Sequence, residues 1–203
     1  MAHDLNITAH ASDVCLAERH RILGQRPRTI WFTGLSGAGK STLAHMLEKE
    51  LVSRGRITFV LDGDNVRHGL NSDLFFTPSD RRENIRRIAE VAKLMNEAGL
   101  ITVAAFISPF QLDRDMARKI VGEDRFIEVY VSTPIEACRA RDTKGLYEKA
   151  NAGNIPEFTG VSSPYEPPAS PHISLNTSAM TKDDCMQELL RIVLPQIEFR
   201  TGG

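Results

Sequence analysis

Cysteine is scarce. The 203-residue chain has three, Cys15, Cys138 and Cys185, far apart and odd in number. They make neither a disulfide framework nor a thiolate metal spacing. Six histidines are present, and no two stand at ligand spacing. No stretch reaches the roughly eighteen apolar residues of a membrane helix. Residues 1–20 are polar and lack the apolar centre of a secretory signal. An excess of either charge is missing too. The 25 Lys and Arg against 26 Asp and Glu leave a net charge of −1, which argues against a protein that grips nucleic acid along its length. The expectation is a soluble cytoplasmic protein with neither nucleic acid nor membrane as partner.

What is there suffices for one packed domain: 41% hydrophobic and 25% charged residues. Thr29–Thr33 reads as a buried strand. A helix follows over 40–53, with Leu43, Met46, Leu47 and Leu51 on one face. Residues 57–61 form a second apolar run. The spacing of Ile85, Ile88, Ala89, Ala92 and Met95 predicts a helix over 78–98. Thr77 is its N-cap, Pro78 its first residue, Asp80 closes the box and Gly99 ends it. Further strands are expected at 100–107, 126–131 and 173–175, and a helix at 110–120. Thr133-Pro-Ile-Glu136 repeats the capping signal and opens another helix, and Met186, Leu189, Leu190, Val193 and Leu194 mark the last. Residues 1–28 form a leader with one short helix over 14–23. Residues 160–171, with four of the ten prolines, form an irregular ordered loop. Alternation of this kind predicts an α/β fold of three layers, a five-stranded parallel sheet between helices. Ligands of such folds sit at the carboxyl ends of the strands.

Three motifs stand at such ends. Gly34-Leu-Ser-Gly-Ala-Gly-Lys40-Ser41-Thr42 matches G-x-x-x-x-G-K-[ST] between a strand and a helix, the context that identifies a phosphate loop. Gly34, Gly37 and Gly39 let N–H groups turn inward toward an anion. The helix adds its positive end, Lys40 reaches the terminal phosphates, and the Ser41 hydroxyl holds Mg²⁺. Nucleoside triphosphate binding follows. Leu61-Asp-Gly-Asp-Asn-Val-Arg67 places two carboxylates and an arginine after the second strand. In an extended segment Asp62 and Asp64 share a side, with Gly63 free to bend. One suits an acceptor hydroxyl and the other Mg²⁺, while Arg67 suits an anionic acceptor. Asp80-Arg-Arg-Glu-Asn-Ile-Arg-Arg87 carries four arginines. Arg82 and Arg86 are like charges on one face, unfavourable without an anion. Arg81 and Asn84 meet at i, i+3 near a helix start, a geometry suited to phosphate or sulfate.

Together with Phe106-Ile-Ser-Pro-Phe110, Arg141-Asp-Thr-Lys-Gly-Leu-Tyr147, Phe158-Thr-Gly160 and Pro164-Tyr-Glu-Pro167, these motifs resemble the adenylylsulfate kinase (APS kinase) family over about residues 30–177. The resemblance implies a phosphate-loop kinase that takes ATP and adenosine 5′-phosphosulfate (APS) to ADP and 3′-phosphoadenosine 5′-phosphosulfate (PAPS). Mg²⁺ is the implied cofactor and a homodimer the implied assembly. It implies ATP binding by Gly34, Leu35, Ser36, Gly37, Ala38, Gly39, Lys40, Ser41 and Thr42, with metal at Ser41 and Asp62. Lys40, Asp62, Asp64 and Ser108 are the implied catalytic residues, Asp64 standing at the 3′-hydroxyl. Arg67, Arg81 and Asn84 would hold the phosphosulfate, and Phe76 and Phe158 would enclose the adenine. Ile107 and Ser108 would line the acceptor site, bordered by Lys144, Gly145 and Leu146 from a mobile lid over 139–160. The family has assigned Ser108 a phosphoserine intermediate, yet a phosphate loop, Mg²⁺ and bound acceptor suffice for in-line transfer. Phe75 stands where the family usually has glycine. Phenylalanine resists positive φ, so the loop carrying Phe76 is expected to take another shape. Two other readings are a kinase of the same architecture for a nucleoside, nucleotide or sugar acid and a nucleotide-sensing or partner-binding subunit without turnover. The intact Lys40, Ser41, Asp64, Arg67 and Asn84 argue against the second. A chain beginning at Met1 with a short leader is expected to stand alone rather than be cut from a sulfurylase–kinase.

Overall fold

A computed structural model describes residues 10 and 12–199; the rest of the expected leader, residues 1–9 and 11, lies outside the described residues. The strands are β1 (Thr29–Thr33), β2 (Thr58–Asp62), β3 (Ile101–Ala105), β4 (Phe126–Val131) and β5 (Ile173–Leu175). The helices are α1 (Leu16–Leu23), α2 (Lys40–Ser53), α3 (Gly63–Arg67), α4 (Pro78–Glu97), α5 (Gln111–Val121), α6 (Ile135–Arg141), α7 (Leu146–Asn151) and α8 (Lys182–Ile197). The sheet runs β2-β3-β1-β4-β5 with every pairing parallel.

Both faces of the sheet are covered, so β1 and β3 are buried at every position and show no alternation. On one face α2 and α8 pack Leu43, Leu47, Leu51, Leu189 and Val193 against Ile30, Phe32 and Val129. On the other, α4 and α5 bring Ile85, Ile88, Ala92, Ala117 and Val121 onto Trp31, Phe106 and Phe126. The Trp31 ring lies between those of Phe106 and Phe126, at 5.7 and 5.6 Å. From β1 the chain crosses to β2 on one side and later to β4 on the other. A crevice therefore opens at the carboxyl end of β1.

Local signals placed most elements well. The Thr77 hydroxyl accepts from Asp80 N at 3.2 Å and donates to Asp80 Oδ2 at 2.7 Å, capping α4. Residues 164–171 are without regular structure, as expected of their prolines. Three expectations need correction. The third strand ends at Ala105, not 107, because the next carbonyls turn away: Thr33 Oγ1 donates to Ile107 O at 2.7 Å. The second strand spans 58–62 rather than 57–61. Thr133 does not cap α6, whose N-cap is Pro134. Its hydroxyl instead donates to Ala38 O at 3.1 Å and lies 2.8 Å from Thr177 Oγ1, tying the end of β4 to the phosphate loop.

Gln25 fastens the segment before β1. It is fully buried, its Nε2 donates to Ile57 O and Gly99 O at 2.9 Å each, and its Oε1 accepts from Ile57 N at 2.9 Å. Gln25→Ala removes three hydrogen bonds and strips Ile57 N and Gly99 O of their partner, while Ile57 O keeps Ile101 N at 3.1 Å. The expected loss of stability is about 2–4 kcal/mol, read as a lower urea midpoint with ATP affinity unchanged. A midpoint equal to wild type would remove Gln25 from the fastening.

Candidate active site

The phosphate loop wraps from the end of β1 to the start of α2. Its glycines are needed for space as well as for conformation. A Cβ on Gly34 (φ +148°) would meet Val131 O at 2.6 Å, and one on Gly37 (φ +73°) would meet Cys138 O at 3.0 Å. The N-terminus of α2 presents unpaired N–H groups to the crevice, a ready anion site. Lys40 is buried there and its Nζ donates to Leu35 O at 2.8 Å. Burial pulls this ammonium down to about 8, against the opposing pull of Cys138 and Asp62.

The two carboxylates after β2 part company, because Gly63 begins a helical turn rather than an extended segment. Asp62 points back: Oδ2 accepts from Ser41 Oγ at 2.7 Å, and Oδ1 caps α3 by accepting from Asp64 N at 3.0 Å. Asp64 points out, 66% exposed, and pairs with Lys144 across the crevice. That ion pair spans from the end of the second strand to the turn before α7.

The arginines are less free than their spacing implied. Arg67 Nη1 donates to Leu74 O and Phe75 O at 2.9 Å each, and its guanidinium lies 4.4 Å above the Phe76 ring. Phe75 is not in the left-handed region; the described non-glycine residues there are Ser108 (φ +38°) and Glu157 (φ +54°). Phenylalanine at 75 therefore fits an ordinary backbone, and the Phe76 ring, 57% exposed, still borders the crevice. Arg81 donates from Nε to Phe76 O and from Nη1 to Thr159 Oγ1, at 2.8 and 2.7 Å, and from Nη2 to Glu157 O. It joins the loop before α4 to the segment after α7. Arg82 and Arg86 need no anion: Arg86 pairs with Glu83 and Glu90, and Arg82 stands 3.7 Å from Asp113. Asn84 is buried at the crevice wall, its Oδ1 accepting from Asn71 Nδ2 at 2.9 Å.

One cleft of about 1160 Å³ gathers these groups. Of the site residues expected from sequence, Gly34, Leu35, Ala38 and Gly145 do not line it; the others do. Ala38 is packed in the core and Gly145 supplies the left-handed turn before α7. Ser108 reaches the cleft with its side chain turned inward, 3% exposed, where Trp31 Nε1 donates to Oγ at 3.1 Å. Helix α7 also touches the phosphate loop, for Tyr147 OH donates to Ser36 O at 3.0 Å.

Sequence reasoning missed Arg141 and Thr177. Arg141 donates to Thr177 Oγ1 and Thr177 O at 2.7 and 2.8 Å, and both residues border the cleft beside the phosphate loop. Arg141 opens the Arg141–Tyr147 motif, which is its signal in the sequence. Thr177 carries no such signal, because its role depends on where β5 ends in space.

The cleft thus joins a phosphate loop to an aromatic and arginine-rich compartment, with Asp64 and Lys144 between. A family model described as adenylylsulphate kinase matches residues 26–176. The chain belongs to the adenylylsulphate kinase family. It is 51% identical to the adenylyl-sulfate kinase of Geotalea uraniireducens over 93% of this chain and 91% of that one. It is 55% identical to that of Clostridium kluyveri over 91% and 92%. Among solved structures, the Mycobacterium tuberculosis APS kinase CysC in complex with AMPPNP and APS superposes with a TM-score of 0.79. The two are 45% identical over 83% of this chain and 98% of that one. In this adenylylsulphate kinase family member the three central motifs all lie inside the matched segment.

Proposed function

We infer that this chain transfers the γ-phosphoryl group of ATP to the ribose 3′-hydroxyl of APS, giving ADP and PAPS, the activated form of sulfate. One observation carries the reading: a single cleft joins Lys40 and the phosphate loop to the Phe76–Arg67–Arg81 compartment, with the exposed Asp64 carboxylate between them. ATP lies with its phosphates on residues 34–42 and its nucleoside toward Arg141 and Thr177. The acceptor adenine stacks on Phe76 and meets Phe158 on the other side, a favourable arrangement for any base. Arg67, Arg81 and Asn84 face the phosphosulfate, and Ile107, Ser108, Lys144 and Leu146 border the same compartment, Gly145 shaping the turn. The lid over 139–160 closes on both substrates.

The mechanism follows from the residue environments. Asp64 is exposed toward the lid and free to take a hydroxyl proton once substrate parts it from Lys144. Lys144 then faces the transferring phosphoryl group. Lys40 holds the terminal phosphate oxygens and offsets charge as it builds on them. Asp62, with both oxygens committed, positions rather than reacts. The Ser41 hydroxyl and Asp62 carboxylate, 2.7 Å apart beside the phosphate site, form an all-oxygen donor pair that suits Mg²⁺. Mg²⁺ bound by these two side chains would supply charge neutralisation at the triphosphate. A homodimer is the proposed assembly and the cytoplasm the proposed location. No helix among the described residues is long and apolar enough to cross a membrane.

Incubation with Mg-ATP and APS, followed by mass analysis, tests the reaction. PAPS at micromolar acceptor supports it; ATP binding without any product overturns it. Ser108 is expected to serve the loop, not a covalent intermediate, since its Oγ faces Trp31. Ser108→Ala is expected to keep turnover within about tenfold of wild type, the loss of the bond from Trp31 and the long one to Phe106 O. Isolation of a phosphoserine at 108 during turnover would refute that assignment.

A further inference from the structure

Two features are used by none of these steps: the Pro164-Tyr-Glu-Pro167 motif and the buried ion pair of Arg114 on α5 with Glu128 on β4. Arg114 is 1% exposed and Glu128 2%. Arg114 Nε donates to Glu128 Oε1 at 3.0 Å, and Arg118 Nη2 donates to the other carboxylate oxygen at 2.8 Å. The rest of the Arg114 fork goes elsewhere. Nη1 donates to Ser108 O at 2.8 Å, and Nη2 to Gln111 Oε1 and Glu166 O at 2.6 and 2.7 Å.

The loop so held is the acceptor side of the cleft. Three of the four carbonyls of residues 106–109 have a partner from outside the loop. Ile107 O accepts from Thr33 Oγ1 at 2.7 Å, Ser108 O from Arg114, and Pro109 O from Glu166 N at 2.8 Å. Tyr165 OH lies 2.9 Å from Thr33 Oγ1, so the tyrosine and glutamate of the motif brace the loop from its outer side. The held conformation is an unusual one, since Ser108 has φ +38°. An L-residue leaves that region unless its surroundings over-determine it.

We propose that Arg114 is a positioning residue for phosphoryl transfer. Anchored by Glu128, its planar fork locks the left-handed turn at Ser108 that presents Ile107 and Ser108 to the acceptor, and Tyr165–Glu166 is the outer half of the same brace. A buried ion pair gains little net stability over apolar packing, and charge balance with Glu128 would need one donor. The three acceptors outside Glu128 demand the guanidinium geometry, which an ammonium does not supply.

The inference rests on the acceptor reading of the 106–109 loop. Its test compares wild type with Arg114→Lys, which keeps the charge opposite Glu128 and loses the fork. The acceptor KM is expected to rise about tenfold and ATP-analogue Kd to stay within about twofold, as for one or two lost hydrogen bonds. Amide exchange at Ile107 and Ser108 is expected to quicken. Tyr165→Phe, a milder change at a half-buried site, is expected to raise acceptor KM about threefold with the same ATP affinity. Acceptor KM unchanged in both variants overturns the proposal, as does an equal loss for ATP and acceptor. If Arg114→Lys does not fold, Tyr165→Phe decides by the same criterion. Absence of APS turnover in the wild type would instead overturn the functional reading; unchanged exchange in Arg114→Lys would then overturn the brace by itself.

Discussion

Replacing Lys40 by alanine is expected to abolish phosphoryl transfer and leave the fold intact. The ammonium sits at the start of α2, buried, with its donor on Leu35 O. A triphosphate seated on the loop meets this charge at its terminal oxygens. Electrostatic stabilisation of developing charge inside a water-poor site costs about 10²–10³ in rate per donor removed, and a full cation exceeds one neutral donor. A fall in kcat of at least about 10³ is expected on that basis. Stability should move the other way or hardly at all. The folded pKa, about 8, lies below the ordinary lysine value of 10.5 because burial penalises the charge. At pH 7 the lysine is charged in both states, so the fold bears that penalty in full; it fades as pH rises from about 8 toward 10.5. Alanine removes the penalty together with one hydrogen bond. The two oppose each other, and the expected change is a gain in stability or little change, as for a residue kept for function at some cost to the fold. ADP release and thermal melting together check this. Near wild-type turnover would remove the loop lysine from the chemistry.

Asp64→Asn is expected to lower kcat by about 10²–10⁴, the usual worth of a general base, with ATP affinity within about twofold. Asparagine keeps the size and one acceptor oxygen but neither takes the proton nor pairs with Lys144 as an ion. Asp64 is 66% exposed and its side chain has Lys144 as its ion-pair partner, so the fold does not need it. Separate titrations of ATP and APS distinguish rate from binding. An unchanged kcat would leave Asp64 as a gate for Lys144 and no more. Asp62→Asn should differ: it weakens the bond to Ser41 and the cap of α3 together, because both of its oxygens are engaged.

Much of this site is legible in the amino-acid order alone, and the reason is contiguity. The phosphate loop is built from neighbours in sequence, as is the Thr77–Asp80 cap, so their geometry follows from local backbone rules. The aromatic–arginine compartment is legible through resemblance, and Phe76, Arg67 and Arg81 do share the cleft. Their partners are not legible. Arg67 and Arg81 spend donors on the loop carbonyls of Leu74, Phe76 and Glu157, and Arg86 finds Glu83 and Glu90. Spacing along a helix names which charges share a face; it does not name which distant carbonyl or carboxylate arrives there. Thr133 shows the same limit. Its sequence context marks a cap, while the neighbouring loop and Thr177 compete for its hydroxyl and win it.

By itself the sequence determined the alternation of strands and helices, the phosphate loop and the family. Each of these depends on hydrophobic period, turn chemistry or contiguous motif. Only the tertiary structure decided that Asp62 turns inward to Ser41 while Asp64 turns out to Lys144, that Ser108 faces Trp31, and that Arg114 holds the loop at Ser108 from behind. Those choices join residues 6 to 80 positions apart. They are made by whichever donor and acceptor the packed sheet brings within about 3 Å, where a buried polar group without a partner is too costly to keep.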